Sequence, residues 1–160
     1  MLEIERKFLV KNDKWRGRVS HFYSVKQAYL PSRNGVVVRI RVIDDAKALL
    51  TIKGPMVGIS RPEYEYNIPV NEAKEMMAYT DRPVIEKSRS EVSEGNHRWE
   101  VDEFEGDNEG LILAEIELES EDGSFEIPDW LGVEVTHDPR YSNGKLAKTP
   151  FKTWPENNKP

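Results

Sequence analysis

Cysteine is absent from this sequence, which excludes disulfide bridges, thiolate nucleophiles and cysteine-ligated zinc or iron–sulfur sites. Histidine is scarce. His21, His97 and His137 stand apart, without metal-ligand spacing such as H-x-x-x-H, so surface or structural roles are expected for all three. No apolar run approaches the roughly 20 residues of a membrane span, and the N-terminus lacks a basic-then-apolar signal pattern. A soluble, cytoplasmic protein with no membrane partner is the expectation. Positive charge is also in deficit: the net charge of −6 argues against nucleic acid or an anionic membrane as partner. It still permits a locally basic cavity that takes a small anion. Ser60 and Ser88 lack the His/Asp pattern of a hydrolase triad.

What the chain does contain is dense charge of both signs. Charged residues make up 32% against 38% hydrophobic in 160 residues, the length of one domain with a sizeable core. Strand signals dominate over Leu2 to Val10, Tyr23 to Leu30, Val36 to Ile43, Ala48 to Lys53, Ser60 to Ile68, Val84 to Val92, His97 to Phe104 and Ile112 to Ser120. Each run is short, rich in β-branched or aromatic residues, and bounded by turn formers such as Arg33-Asn34-Gly35, Ile43-Asp44-Asp45 and Glu94-Gly95-Asn96. Helical signals are few: a helix capped by Asn71 and running to Ala78, a short turn at Asp13 to Arg16, a helix within Ser124 to Leu131 and another at Ser142 to Lys148. The expected class is mainly β, an eight-stranded antiparallel meander closed into a barrel. It forms one domain over residues 1–160, with a loose tail over 153–160.

Successive side chains of a strand face opposite ways, so charges at alternate positions share a face. Glu3, Glu5 and Lys7 alternate in the first strand. They are followed by Arg39 and Arg41, then Lys53, then Arg61, Glu63 and Glu65. Lys87 and Arg89, Glu100 and Asp102, and Glu115, Glu117 and Glu119 complete the set. The opposite faces hold Val38, Ile40 and Val42, Tyr64 and Tyr66, Trp99 and Val101, and Ile116 and Leu118, which are expected to be buried. For any one strand a solvated sheet face explains the charge. Taken together, the strands favour a barrel with its charged face inward and its apolar face outward under the few helices. Such a lumen must be wet or hold charged ligands, because unpaired buried charge is strongly disfavoured. Paired carboxylates are hard oxygen ligands for Mg²⁺ or Mn²⁺, and clustered Arg and Lys bind phosphate oxygens. Together these are the recurring parts of phosphoryl-transfer sites. A row of bases from several strands suits a chain of phosphates better than a single one.

Several motifs occur in order: Glu3-Ile4-Glu5-Arg6-Lys7, Val38-Arg39-Ile40-Arg41, Thr51-Ile52-Lys53-Gly54, Ser60-Arg61-Pro62-Glu63-Tyr64-Glu65-Tyr66, Val84-Ile85-Glu86-Lys87-Ser88-Arg89, Trp99-Glu100-Val101-Asp102 and Ala114-Glu115-Ile116-Glu117-Leu118-Glu119. From Leu2 to about Ala147 this series resembles the CYTH superfamily, the triphosphate tunnel metalloenzymes. Gln27-Ala28-Tyr29-Leu30, Glu134-Val135-Thr136 and Arg140-Tyr141-Ser142-Asn143 resemble its short bacterial branch. The resemblance implies an eight-stranded tunnel, a C-terminal helix near one mouth, and hydrolysis of inorganic triphosphate to diphosphate and phosphate with one or two Mg²⁺ or Mn²⁺ ions. Class IV adenylate cyclase, thiamine triphosphatase and a non-catalytic polyphosphate-binding module are the alternatives, and a homodimer is a candidate assembly.

Carried onto this sequence, the resemblance implies that Glu3, Glu5, Glu115 and Glu117 hold the principal metal. Glu63, Glu65, Glu100 and Asp102 are candidates for a second ion or its water. Arg39, Arg41, Lys53, Lys87 and Arg89 bind the triphosphate, with Arg61 at the edge. Lys7 is placed to orient the attacking water or to contact the terminal phosphoryl group, and Lys87 is also a candidate at the reacting centre. Tyr29 either positions water or simply lines the barrel. Glu119 lies either at a solvated strand end or on a metal. Pro62 removes a ladder hydrogen bond and marks an edge, bulge or strand start.

Overall fold

Antiparallel pairing carries the chain around a full circle in the computed structural model, which describes residues 2–160. The strands are β1 (Leu2–Val10), β2 (Val19–Leu30), β3 (Val37–Ile43), β4 (Lys47–Lys53), β5 (Ser60–Ile68), β6 (Ile85–Glu94), β7 (His97–Phe104), β8 (Ile112–Glu117) and β9 (Leu131–Glu134). Their order is β5-β4-β3-β2-β6-β7-β8-β1-β9, and a further pairing of β1 with β5 closes an eight-stranded barrel. The seam is short, with Leu2 opposite Pro62, Glu3 opposite Arg61 and Ile4 opposite Ser60. Beyond it, the same edge of β1 passes to β9, where Phe8 faces Glu134 and Val10 faces Leu131. Pro62 sits at this seam, where β5 has not yet joined the β4 ladder that begins at Glu63. Its carbonyl still accepts from Gly54 N at 2.8 Å, so the proline occupies a place where its missing N–H costs little.

Closure sorts side chains by parity, and three apolar clusters cover the barrel. On one flank Trp15, Trp99 and Trp130 pack with Phe8, Val101 and Ile116. Trp99 meets Phe8, Phe125 and Trp130 edge to face at ring separations of 5.6–5.7 Å, contacts worth about 0.5–1.5 kcal/mol each beyond burial. On another, helix α1 (Val70–Met77) lays Ala73 and its partly buried Met76 and Met77 over Ile40, Val42 and Ala48. The third cluster fills one end of the barrel. Tyr29, Ile85, Phe104 and Leu113 point down from the strands onto Tyr141, Phe151, Trp154 and, from helix α2 (Asn143–Lys148), Leu146 and Ala147. The lumen is therefore a cup, open at the end that carries Leu2 and Glu3.

Asn108, buried between β7 and β8, accepts from Phe151 N at 2.8 Å and so ties the closing segment to the barrel. Asn108→Ala leaves that buried N–H without its partner, a loss of about 1–3 kcal/mol. A thermal melt of this variant is expected to fall by about 2–10 °C.

The expected strands are present, with ends shifted by a few residues. Three expectations are corrected. Ser124 to Leu131 is not helical: Pro128 opposes helix in the residue before it, and Phe125 and Trp130 are used as aromatic anchors against Phe8 and Trp99. The chain then runs into β9, a ninth strand. Tyr64 and Tyr66 are not buried; they are 53% and 54% exposed on the outer face of β5, beyond the reach of α1. Within the stretch read as a tail, Trp154 is buried against Tyr141 and Phe151. Helix α1 starts at Val70, one residue ahead of the expected cap Asn71.

Candidate active site

The cup encloses a cavity of about 500 Å³ lined mainly by charged side chains. Glu3, Glu5 and Lys7 of β1 line it together with Arg39 and Arg41 of β3, Lys53 of β4, and Arg61, Glu63 and Glu65 of β5. Arg89, Glu100, Glu115 and Glu117 complete the opposite wall, while Ser142, Asn143 and Gly144 close the floor. These positions share one parity in each strand because the barrel turns every second side chain inward. Register then brings particular groups together: Glu5 faces Glu117, Lys7 faces Glu115, Lys53 faces Glu63 and Arg89 faces Asp102.

Most of the charge is paired. Lys7 Nζ lies 2.8 Å from Glu115 and 3.9 Å from Glu5. Glu3 binds both Lys53 and Arg61, the latter at 2.8 Å. Lys53 also reaches Glu63 at 3.2 Å. Arg39 is 3.6 Å from Glu63 and 3.5 Å from Glu65, and Thr51 bridges it to Glu65 through two 3.1 Å hydrogen bonds. Arg89 holds Glu100, Glu115 at 3.2 Å and Asp102 through two bonds of 2.6 and 2.7 Å. Among the described residues no three acids already stand in ligating geometry, because lysines and arginines draw them apart.

Three features escape this pairing. Glu117 has no ion-pair partner among the described residues, and Glu5 has only the long contact with Lys7. Desolvation, together with mutual repulsion among Glu3, Glu5, Glu100, Glu115 and Glu117, pushes both Glu5 and Glu117 above the usual carboxylate range. On the opposite wall Arg41 has no carboxylate within ion-pair distance among the described residues. Burial and the neighbouring Arg39 and Arg89 pull its guanidinium down to about 10, which leaves it charged at neutral pH. Arg39 Nε is buried with no hydrogen-bond partner. Crowded, under-paired acids and one guanidinium without an anion thus face one cavity. The all-carboxylate donor set suits a hard divalent cation, and the unpaired Arg41 guanidinium suits phosphate.

Lys87 and Asp102 sit below this cavity rather than on its wall. Lys87 is 1% and Asp102 0% exposed; their side chains meet at 2.5 Å, and Lys87 also donates to Asn143 of α2 at 3.0 Å. Burial pulls the Lys87 ammonium down to about 7 and Asp102 pulls the other way. Burial alone would raise Asp102, but Arg89 and Lys87 outweigh it and hold the carboxyl below its usual range, so the carboxylate stays ionised between two cations. Glu119 lies exposed beyond the end of β8, the solvated alternative for that residue. Tyr29 is buried, lines the cavity floor and is pushed up by burial, so its phenol keeps its proton.

Some lining groups escaped sequence reasoning. Arg98 shares the parity of Glu100 and Asp102 and lines the mouth, so alternation alone could have found it. Gln27 and Thr51 are fully buried on the lumen face, but being uncharged they carry no signal in a search for charge. Asn143 enters from α2, outside the strands altogether.

Comparison with known proteins agrees with this architecture. The CYTH domain matches residues 1–149. An inorganic triphosphatase of Acetivibrio thermocellus is 48% identical over 155 residues, 96% of this chain and 98% of that protein. One from Nitrosomonas europaea is 36% identical over 152 residues, 92% and 97% of the two chains. The crystal structure of an inorganic triphosphatase superposes with a TM-score of 0.65 at 34% identity, covering 91% of this chain and 97% of its own. With a closed barrel, an ionic lumen and this near full-length similarity, the chain belongs to the CYTH domain family.

Proposed function

We propose that this protein is a divalent-metal-dependent inorganic triphosphatase that hydrolyses tripolyphosphate to diphosphate and phosphate. The observation that carries the reading is the pair of unmet demands in one cavity: Glu117 without a cation beside Glu5, which has only a long contact with Lys7, and Arg41 without an anion. A metal–triphosphate complex meets both at once. The two inorganic triphosphatases that resemble this chain over nearly its whole length support the same substrate.

In this reading Glu3, Glu5, Glu115 and Glu117 would hold the metal, which would supply a hard cation to the acids gathered on β1 and β8. Glu63, Glu65 and Glu100 are placed to contact a second ion or its water. A bound Mg²⁺ or Mn²⁺ supplies Lewis-acid stabilisation of charge on the phosphoryl oxygens. Arg39, Arg41, Lys53 and Arg89 bind the triphosphate oxygens, with Arg61 and Arg98 at the mouth. Lys7, on the floor beside Glu115, faces the terminal phosphoryl group. Water oxygen bonds to that phosphorus as its bridging P–O bond breaks; diphosphate leaves and the water proton passes to bulk solvent. Lys87 and Asp102 act by holding Arg89 and Asn143 in place.

Phosphate release from tripolyphosphate, ATP and thiamine triphosphate with Mg²⁺, Mn²⁺ and Ca²⁺ tests this. Tripolyphosphate with Mg²⁺ or Mn²⁺ is expected to give the highest kcat/KM, and excess chelator to abolish it. Cyclic AMP formation from ATP as the faster reaction, or no phosphate release under any metal, overturns it. Arg41→Ala is expected to raise KM for tripolyphosphate by about 10- to 100-fold, the equivalent of one charge-assisted contact, with a smaller change in kcat.

A further inference from the structure

Gln27 is fully buried in the wall of the cavity and touches two of its groups. Arg41 Nε donates to Gln27 Oε1 at 3.1 Å, and Gln27 Nε2 donates to Tyr29 Oη at 2.9 Å. The orientation of the amide follows from chemistry, since a guanidinium has donors only and must face the carbonyl oxygen. The amide nitrogen is thereby turned to Tyr29, whose oxygen accepts and whose own O–H remains to donate.

We propose that Gln27 is a positioning residue that aims Arg41 and Tyr29 at the lumen while leaving the charge of the phosphate-binding wall uncancelled. Every other basic residue of the lumen is held by at least one carboxylate among the described residues: Lys7, Arg39, Lys53, Arg61, Lys87, Arg89 and Arg98. Arg41 is held by a neutral amide instead. A neutral acceptor fixes the direction of the guanidinium without cancelling its charge, so the full cation is presented to an incoming anion. The same amide makes Tyr29 a donor toward the lumen. A carboxylate at position 27 would occupy nearly the same volume. It would pair with Arg41 and turn the Tyr29 hydroxyl proton onto itself, so both groups would be lost to the substrate. This inference rests on the triphosphate reading, and its test uses binding as well as turnover.

Calorimetric titration with tripolyphosphate in excess chelator measures anion affinity apart from hydrolysis. Gln27→Glu is expected to melt at or above the wild-type temperature, because it gains an ion pair, yet to bind tripolyphosphate at least about tenfold more weakly. With Mg²⁺ present its KM is expected to rise by more than its kcat falls. Gln27→Met removes the acceptor without adding charge and is expected to lie between wild type and Gln27→Glu. In an Arg41→Ala/Tyr29→Phe background, introducing Glu at position 27 is expected to change affinity by less than about threefold. Wild-type affinity in Gln27→Glu, Gln27→Met at or below Gln27→Glu, or an undiminished effect in the double background each overturns the role of Gln27 alone. A wild-type protein that binds tripolyphosphate without hydrolysing it overturns the catalytic reading and leaves Gln27 tested by affinity. One that binds none overturns both.

Discussion

Glu117→Gln is expected to lower tripolyphosphate turnover by about a thousandfold or more, the scale set by losing several kcal/mol of metal-derived charge stabilisation. Metal-free, the same variant is expected to be at least as stable as wild type. Glu117 faces Glu5 across the β1–β8 ladder and has no ion-pair partner among the described residues. Desolvation and its acidic neighbours push its carboxyl up. A carboxyl whose folded pKa lies above its unfolded value opposes folding when ionised, and that opposition is present at neutral pH. The amide keeps the shape, removes the repulsion and removes one hard oxygen donor. Function and stability therefore part company at this position, as expected where a site holds groups for a ligand rather than for the fold. Thermal melts with chelator and with Mg²⁺, beside phosphate release, check the claim. Wild type is expected to gain melting temperature with Mg²⁺, and Glu117→Gln to gain little. A variant that turns over normally, or that is destabilised in chelator and rescued by Mg²⁺, would remove Glu117 from the metal set.

Much of this site was legible from alternation alone. Once strands are recognised, parity decides which residues share a face, and the barrel only has to close for Glu3, Arg39, Lys53, Glu63, Arg89 and Glu117 to meet. Depth along the barrel axis is a different quantity. It depends on shear and on what fills each end, and neither is written into one strand. Glu100 and Asp102 therefore look alike in sequence, yet Glu100 lines the cavity and Asp102 lies beneath it at 0% exposure. Gln27 and Thr51 escaped for a chemical reason: a buried amide or hydroxyl has meaning only through the partner that register supplies. The segment ahead of β9 escaped for a packing reason, because Phe125 and Trp130 bury themselves from a loop that has no period to detect.

Asp102→Ala tests that distinction of depth, and it is expected to be the most destabilising single change in the lumen. Asp102 neutralises Lys87 at 2.5 Å and Arg89 through two hydrogen bonds. Without it Lys87 loses its one carboxylate partner among the described residues, and Arg89 loses two of its hydrogen bonds beside Arg41. Removing one partner of a buried ion pair typically costs about 3–5 kcal/mol, which for a chain of this size lowers the melting temperature by roughly 6–20 °C. Glu100→Ala offers the contrast: Arg89 keeps its Asp102 clamp, and the Glu100 side chain is already 28% exposed. Its melting temperature is expected to move by less than about 3 °C, consistent with a partly exposed pair. If Asp102 were instead a metal ligand, Asp102→Ala would melt near wild type in chelator and fail only to respond to Mg²⁺. Large destabilisation in chelator identifies the carboxylate as the counter-charge that keeps Arg89 aimed at the cavity. In that case KM, measured well below the melting temperature, rises because Arg89 has lost its direction rather than because a metal has been lost.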